Sequence, residues 1–151
     1  MPILSWLFSK PLVVGEQAPN FDLPDEEGRL TTLSSFRGSK NVVLVFYPGD
    51  DTGICTKQLC EFRDSWNSVK EKETVVFGLN PQSASSHLKF TRKRDFPFPL
   101  LVDRGQSTAK RYNASGLMVK RTVYLIGKSG TIRFAKRGKP EPAEVLSAVE
   151  V

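Results

Sequence analysis

The chain has 151 residues, of which 39% are hydrophobic and 25% are charged, which is the size and composition of one globular domain. Its net charge of +6 is not concentrated: the densest basic stretches, residues 91–94 and 136–139, lack the interleaved aromatic residues of nucleic-acid binding motifs, and no nucleic-acid partner is expected. No apolar run approaches the roughly 20 residues that a membrane span requires.

Residues 1–12 are predicted to be an N-terminal extension of uncertain role, ahead of a single domain over residues 13–151. The extension has no lysine or arginine before its apolar stretch and no small-x-small cleavage site, which argues against a signal peptide. Two alternatives stay open. The extension packs on the domain, or it is a short interfacial anchor, because Trp6 and Phe8 beside Lys10 suit a membrane surface.

The hydrophobic pattern of the domain predicts strands that alternate with helices. The most regular helical pattern is an apolar stripe within residues 52–72, where Cys55, Leu59, Phe62, Trp66 and Val69 fall on one face. This order is typical of an α/β layered sheet with helices on both faces. In chain order, the predicted elements are a β-hairpin (21–23 and 30–33), a buried strand (42–47), a helix (52–72), a strand (74–79), a helix (83–94), a strand (98–102), a helix (107–113), a hairpin (122–126 and 131–135) and a last helix from Pro142.

Two cysteines and one histidine limit the chemistry that the chain can support. They are too few for a disulfide framework or for a four-ligand zinc site, and no haem or flavin motif is present, so neither a metal nor a cofactor is expected. Cys55 and Cys60 lie only five residues apart in a domain that does not need covalent stapling. This spacing favours reactive thiols in a reducing compartment.

Cys55 is predicted to lie in the first turn of the 52–72 helix, with Asp51 or Thr52 as the N-cap. Unpaired backbone N–H groups and the helix dipole stabilise an anion there, and the thiolate is the nucleophilic form of cysteine. Asp50 and Asp51 oppose a thiolate by like charge, so a cation must lie nearby or these carboxylates must point away. The alternative is that Cys55 is a small, inert core residue.

The spacing of the two cysteines predicts a conformational switch. In a regular helix, Cα atoms five residues apart are separated by roughly 8–9 Å, whereas a disulfide needs about 4.4–6.8 Å. Cys55 and Cys60 therefore cannot bond while the helix is intact, but can bond if its first turns unwind. The two thiols also differ in environment, because Cys55 shares the apolar stripe and Cys60 leaves it.

The pattern Pro48-x-x-x-Thr52-x-x-Cys55 resembles the active-site signature of the peroxiredoxin family. The step to Cys60, followed by Glu-Phe-Arg-Asp, resembles the Q-type branch, also called bacterioferritin comigratory proteins. Residues 15–23, 86–90, 96–103 and 121–126 are similar to further family segments in the same order. The resemblance implies a thioredoxin-like α/β fold: a three-layer sandwich with a central mixed β-sheet, flanking helices and an N-terminal β-hairpin.

The resemblance also implies a role for five residues in a thiol-dependent peroxidase. Cys55 would reduce hydrogen peroxide or an organic hydroperoxide and become a sulfenic acid. Thr52 would orient the peroxide, Pro48 would shield the thiolate, and Arg121 would supply the cation. Cys60 would then form an intramolecular disulfide that a thioredoxin- or glutaredoxin-type reductant opens.

Some features depart from the family pattern or leave alternatives open. Gly53-Ile54 replaces the more usual Pro-Gly before the cysteine, Asn80 stands where the branch more often has serine, and His87 is expected to have a surface or packing role.

A redox sensor or a thiol–disulfide oxidoreductase on the same fold is the alternative function, although a Cys-x-x-Cys pair is absent. A binding or holdase module with structural cysteines is a third. We expect a monomer in the bacterial cytoplasm, with a plastid as the alternative location.

Overall fold

The computed structural model describes residues 9–150 and contains a mixed five-stranded sheet. Its order is β5-β4-β3-β6-β7; β3 is parallel to β4, and β4 to β5, whereas β6 is antiparallel to both β3 and β7. A separate antiparallel pair, β1–β2, forms the predicted N-terminal hairpin. The strands are β1 (Asp22–Pro24), β2 (Leu30–Thr32), β3 (Asn41–Phe46), β4 (Thr74–Asn80), β5 (Leu100–Val102), β6 (Thr122–Ile126) and β7 (Ile132–Arg137).

The continuous apolar run of β3 is explained by its central position, because all six of its residues are buried. Val43 and Val45 face one core, which is covered by α1, α2, α3 and α5. Val42 and Leu44 face a second core, which is covered by the hairpin and α4. The predicted three-layer sandwich is therefore confirmed. The α-helices are α1 (Gly53–Asp64), α2 (Trp66–Glu71), α3 (Ala84–Arg94), α4 (Ser107–Arg111) and α5 (Pro142–Leu146).

The prediction of one helix over residues 52–72 is wrong, because the helix breaks at Ser65. This residue leaves helical geometry, with φ −97° and ψ 15°, although its N–H still donates to the carbonyl of Glu61. Serine is a weak helix former, which is consistent with a bend at this position. The apolar stripe survives the bend: Val69 on α2 is fully buried, and Trp66 packs against Phe98 with ring centroids 5.9 Å apart.

Two predicted turns are also present. The carboxylate of Asp25 accepts the backbone N–H groups of Glu27 and Arg29 and closes the β1–β2 turn. Gly130 closes the β6–β7 hairpin with φ +87°, a conformation that favours glycine, and a Cβ there would lie 2.7 Å from the Arg37 side chain. Within residues 9–150, no helix is long and apolar enough to cross a bilayer.

The described part of the N-terminal extension, residues 9–12, contacts the domain. The N–H of Leu12 donates to the Tyr124 hydroxyl at 2.9 Å, and the carbonyl of Ser9 accepts from Arg137 at 2.7 Å. Trp6 and Phe8, on which the alternative of an interfacial anchor rests, lie outside the described residues. The role of the extension therefore stays a prediction.

Asp103 connects the end of β5 to the start of α4. Its side chain is buried, and its two oxygens accept the backbone N–H groups of Thr108 and Ala109, both at 2.9 Å. These are N–H groups of the first helical turn, which have no partner within the helix. The Asp103 carboxylate thus satisfies donors that are also buried.

We expect Asp103→Ala to lower the free energy of unfolding by about 2 to 4 kcal/mol, because it removes a cap and leaves buried N–H groups unpaired. Urea denaturation followed by circular dichroism measures this change. Asp64→Ala is the matched control, because the Asp64 carboxylate is exposed and its ion pair is with the adjacent Arg63. A loss for Asp103→Ala no larger than that of the control would contradict the prediction.

Candidate active site

The strand register brings the predicted arginine to the predicted cysteine. Phe46, the last residue of β3, pairs with Thr122, the first residue of β6, so Arg121 lies level with the start of the loop that leads to α1. Side chains alternate between the two faces of a strand. Arg121 therefore shares a face with Val123, which belongs to the same core as Cys55.

Cys55 lies in the first turn of α1 and is fully buried. Its Sγ atom accepts a hydrogen bond of 3.1 Å from Nη2 of Arg121. A guanidinium is permanently charged, so this contact stabilises the thiolate rather than the thiol. The structure thus places beside Cys55 the cation that the nearby carboxylates made necessary.

Gln58 fixes the orientation of Arg121. It lies on α1 three residues after Cys55, is fully buried, and accepts a hydrogen bond of 2.9 Å from Nη1 of Arg121 through Oε1. Its Nε2 donates to the carbonyl of Gly138, at 3.4 Å. One guanidinium nitrogen is therefore held by Gln58, and the other is directed at the sulfur. The sequence analysis did not identify Gln58; the available signal was a polar residue on the buried face of α1.

Thr52 occupies the N-cap position of α1, but its side chain does not cap the helix. Its hydroxyl donates to the carbonyl of Gly49 at 3.0 Å, and the residue is exposed. A hydroxyl has one donor and two acceptor sites, so Oγ1 keeps its lone pairs available for a hydrogen on an incoming ligand. Pro48, at the start of the same loop, is half-buried. Its predicted shielding role stays a prediction.

Both carboxylates that precede the helix are engaged by side chains of α3, away from Cys55. Asp51 makes salt bridges with Lys93 at 2.7 Å and Arg94 at 3.1 Å, and hydrogen bonds from these two side chains lower the pKa of its carboxyl. Asp50 pairs with His87, whose Nδ1 lies 2.6 Å from Oδ2. The like-charge opposition expected from the sequence is therefore reduced at each aspartate.

Cys60 lies on α1 in a different environment from Cys55. It is half-buried at the edge of the core that contains Cys55, and both cysteines are free. Because α1 is continuous from Gly53 to Asp64, helix geometry keeps the two Cα atoms roughly 8–9 Å apart, too far for a disulfide. A bond between them requires the first turns of α1 to unwind.

His87 is buried, so a packing role is correct and a surface role is wrong. Asn80, for which the sequence offered no explanation, is also buried, and its Nδ2 donates to Oδ1 of Asp50 at 3.0 Å. Within the described residues, no group of three or more His, Cys, Asp and Glu side chains is arranged to hold a metal ion.

Comparisons with known proteins identify the family of this chain. Residues 14–135 match the model of the AhpC/TSA family. The chloroplastic peroxiredoxin Q of Oryza sativa subsp. japonica is 38% identical over 132 residues, which are 85% of this chain and 60% of the rice protein. The chain thus spans about 60% of the length of the rice and wheat relatives that it matches.

Bacterial proteins match over more of their own length. A putative peroxiredoxin bcp of Coxiella burnetii is 38% identical over 131 residues, which are 79% of this chain and 84% of the bacterial protein. The crystal structure of peroxidoxin BcpB from Mycobacterium tuberculosis has a TM-score of 0.84 at 28% identity, and the match covers 89% of this chain and 94% of that one. The chain belongs to the AhpC/TSA family, in the group of the peroxiredoxin Q and bcp proteins.

Proposed function

We propose that the protein is a thiol-dependent peroxidase that reduces hydrogen peroxide or organic hydroperoxides, with Cys55 as the peroxidatic thiolate. The observation that carries the proposal is the 3.1 Å contact between the Cys55 sulfur and the Arg121 guanidinium in the first turn of a helix. A buried sulfur paired with a fixed cation is the arrangement that a nucleophilic thiolate needs. Membership of the peroxiredoxin Q and bcp group supports the same activity.

The first step transfers one oxygen atom to sulfur. The Cys55 thiolate attacks the distal oxygen of the hydroperoxide, an S–O bond forms, the O–O bond breaks, and the leaving alkoxide or hydroxide takes up a proton. Thr52 Oγ1 accepts a hydrogen bond from the hydroperoxide O–H, because its own proton is held by the Gly49 carbonyl. Arg121 stabilises the negative charge that develops on the peroxide oxygens, and Pro48 limits access of water.

The second step resolves the sulfenic acid. The Cys60 thiolate attacks the Cys55 sulfur, an S–S bond forms, and the sulfenic oxygen leaves as water after it takes up a proton. The attack requires the first turns of α1 to unwind. A thioredoxin- or glutaredoxin-type dithiol then reduces the intramolecular disulfide by thiol–disulfide exchange. We infer that the protein works in a reducing compartment, the cytoplasm or a plastid, since its relatives include bacterial and chloroplastic proteins. The monomer expected from the family resemblance stays a prediction.

Mixing the reduced protein with hydrogen peroxide in a stopped-flow instrument tests the proposal. We expect a fast, peroxide-dependent change in Trp fluorescence, because Trp66 directly follows the helix that unwinds. Cys55→Ser should abolish the change, and Trp66→Phe should identify the reporter, since the chain has one other tryptophan, Trp6. Cys60→Ser should still give one oxidation at Cys55, as a peroxidase requires. Two reduced thiols after exposure to peroxide would rule the activity out.

Gln58→Met should slow the oxidation of Cys55 by about tenfold to a hundredfold, because a hydrogen bond to a charged group contributes roughly 1.5–3 kcal/mol and the methionine thioether is only a weak acceptor. Arg121 would then lose the contact that directs Nη2 at the sulfur. The measurement is the second-order rate constant for oxidation by hydrogen peroxide. Lys57→Ala, on the exposed face of the same helix, is the control. Equal rates in Gln58→Met and in the control would show that Gln58 has no part in the reaction.

Gly53→Ala should slow formation of the disulfide and leave the peroxide step unchanged. A Cβ at Gly53 would meet no atom within 4 Å, so alanine fits, and it favours the helix by at most about 1 kcal/mol. We expect the fluorescence change to have two phases, one for the oxidation of Cys55 by peroxide and one for the formation of the disulfide, so that the rates of the two steps are measured separately. Slower resolution should also raise the yield of Cys55 sulfinic acid, which mass spectrometry detects.

Ser68→Ala provides the matched control for Gly53→Ala. Ser68 is exposed on α2, so alanine there stabilises a helix that does not unwind. We expect a gain in thermal stability with no change in disulfide formation. If Ser68→Ala slowed the disulfide step as much as Gly53→Ala does, then global stability rather than the first turn of α1 would control it.

A further inference from the structure

The carboxylate of Asp50 accepts four hydrogen bonds although it belongs to a loop. Oδ1 accepts from the Tyr47 hydroxyl at 2.6 Å and from Asn80 Nδ2 at 3.0 Å. Oδ2 accepts from the Ser86 hydroxyl at 2.7 Å and lies 2.6 Å from Nδ1 of His87. The side chain is only 4% exposed. Its four hydrogen-bonding positions are thus all occupied by protein groups.

His87 is a fully buried partner of Asp50 in this cluster. Its Nε2 lies 2.9 Å from the carbonyl oxygen of Leu101, which can only accept a hydrogen bond. The Nε2 atom therefore faces an acceptor, and Nδ1 is engaged with the Asp50 carboxylate. Because both nitrogens are engaged by the protein, the ring is not available as a base for a substrate.

The surroundings of Asp50 favour its ionised form. Burial raises the pKa of Asp50. Hydrogen bonds from His87, Tyr47 and Ser86, together with the electrostatic interaction with His87, lower this pKa by a larger amount, so its net shift is downward. Burial raises the pKa of Tyr47 well above its usual value, and the charge of Asp50 adds to this rise. Tyr47 therefore stays a hydrogen-bond donor. The cluster is a fixed acceptor surrounded by fixed donors.

The position of Asp50 links this cluster to the candidate active site. Its donors come from Tyr47, which directly follows β3, and from β4 and α3, and its own backbone N–H donates to Oε1 of Gln82 at 2.5 Å. The preceding residue, Gly49, supplies the carbonyl that accepts the Thr52 hydroxyl. Displacement of Asp50 would move Gly49 and with it the proton of Thr52. The loop at residues 48–52 is therefore held in place from its centre.

We propose that Asp50, held by His87, is a positioning residue of the peroxide site that fixes the loop so that Thr52 faces the substrate. The inference rests on the proposed peroxidase function. It assigns Asp50 no contact with the substrate. Its effect is on the geometry of the peroxide reaction and not on the nucleophilicity of the Cys55 sulfur.

The rate constants for oxidation and for alkylation of Cys55 distinguish an effect on the geometry of the peroxide reaction from an effect on the nucleophilicity of the sulfur. Oxidation by hydrogen peroxide needs Thr52 in place, whereas alkylation by iodoacetamide needs only an accessible thiolate. A Cys60→Ser parent makes Cys55 the only thiol. In that parent, Asp50→Asn should lower the peroxide rate by about thirtyfold and change the alkylation rate less than about threefold, because an amide cannot accept from all four donors.

Ser86→Ala keeps the test decisive if Asp50→Asn does not fold. It removes one of the four hydrogen bonds from a half-buried helix position and should lower the peroxide rate by about threefold to tenfold without changing alkylation. Ser85→Ala is the matched control. Ser85 is the exposed neighbour, and the hydrogen bond of its hydroxyl is with Ser83. Both of its rates should equal those of the parent.

The inference is overturned if folded Asp50→Asn or Ser86→Ala keeps the parent's peroxide rate, or if the peroxide and alkylation rates fall together. If the parent is oxidised by peroxide and these variants are oxidised at the same rate, only the positioning role is lost. If the parent itself does not react with peroxide, the proposed function fails, and the positioning role fails with it. Circular dichroism and thermal melting establish that each variant is folded.

Discussion

The structure around α1 depends on how the charge of one sulfur atom is balanced. A thiolate at Cys55 would lie in a fully buried position, where an unpaired charge is costly. Arg121 offsets this cost at 3.1 Å, and Gln58 holds the guanidinium in the orientation that makes the contact. Two aspartates precede the helix, and each has a hydrogen-bonding partner of its own on α3, His87 for Asp50 and Lys93 for Asp51. Each acidic group is thus matched with a partner over a short stretch of chain.

The sheet supplies these partners. Parallel pairing of β3 with β4, and of β4 with β5, brings their carboxyl ends to one edge, which is why Asn80 and the Leu101 carbonyl are near the loop that follows β3. Antiparallel β6 begins at the same edge, so Arg121 arrives there from the opposite direction. A wholly parallel arrangement of β6 would place Arg121 at the far end of the sheet. The mixed topology is therefore a requirement of the site as well as of the fold.

The sequence predicted the elements that depend on local pattern and missed those that depend on distant pairing. Cys55 and the buried strand β3 follow from periodicity and composition, and the site residues Thr52 and Arg121 from a resemblance. Nothing local indicated that His87 pairs with a residue 37 positions away, since the contact exists only once α3 packs on the sheet. The sequence did not predict the bend at Ser65, because the local apolar stripe continues through the bend without interruption.

The first residues of α1 make fewer contacts than the segments on either side of them, and this difference bears on where the helix would unwind. Before the turn, Asp50 is held by four hydrogen bonds; after it, Glu61 is paired with Lys139 at 2.7 Å, and Arg63 donates to the Arg94 carbonyl at 2.6 Å. Between these anchors, Gly53 and Ile54 are exposed and have no close packing to lose. Local opening begins where few contacts are broken. Unwinding that starts there frees Cys55 to approach Cys60 while both anchors stay in place.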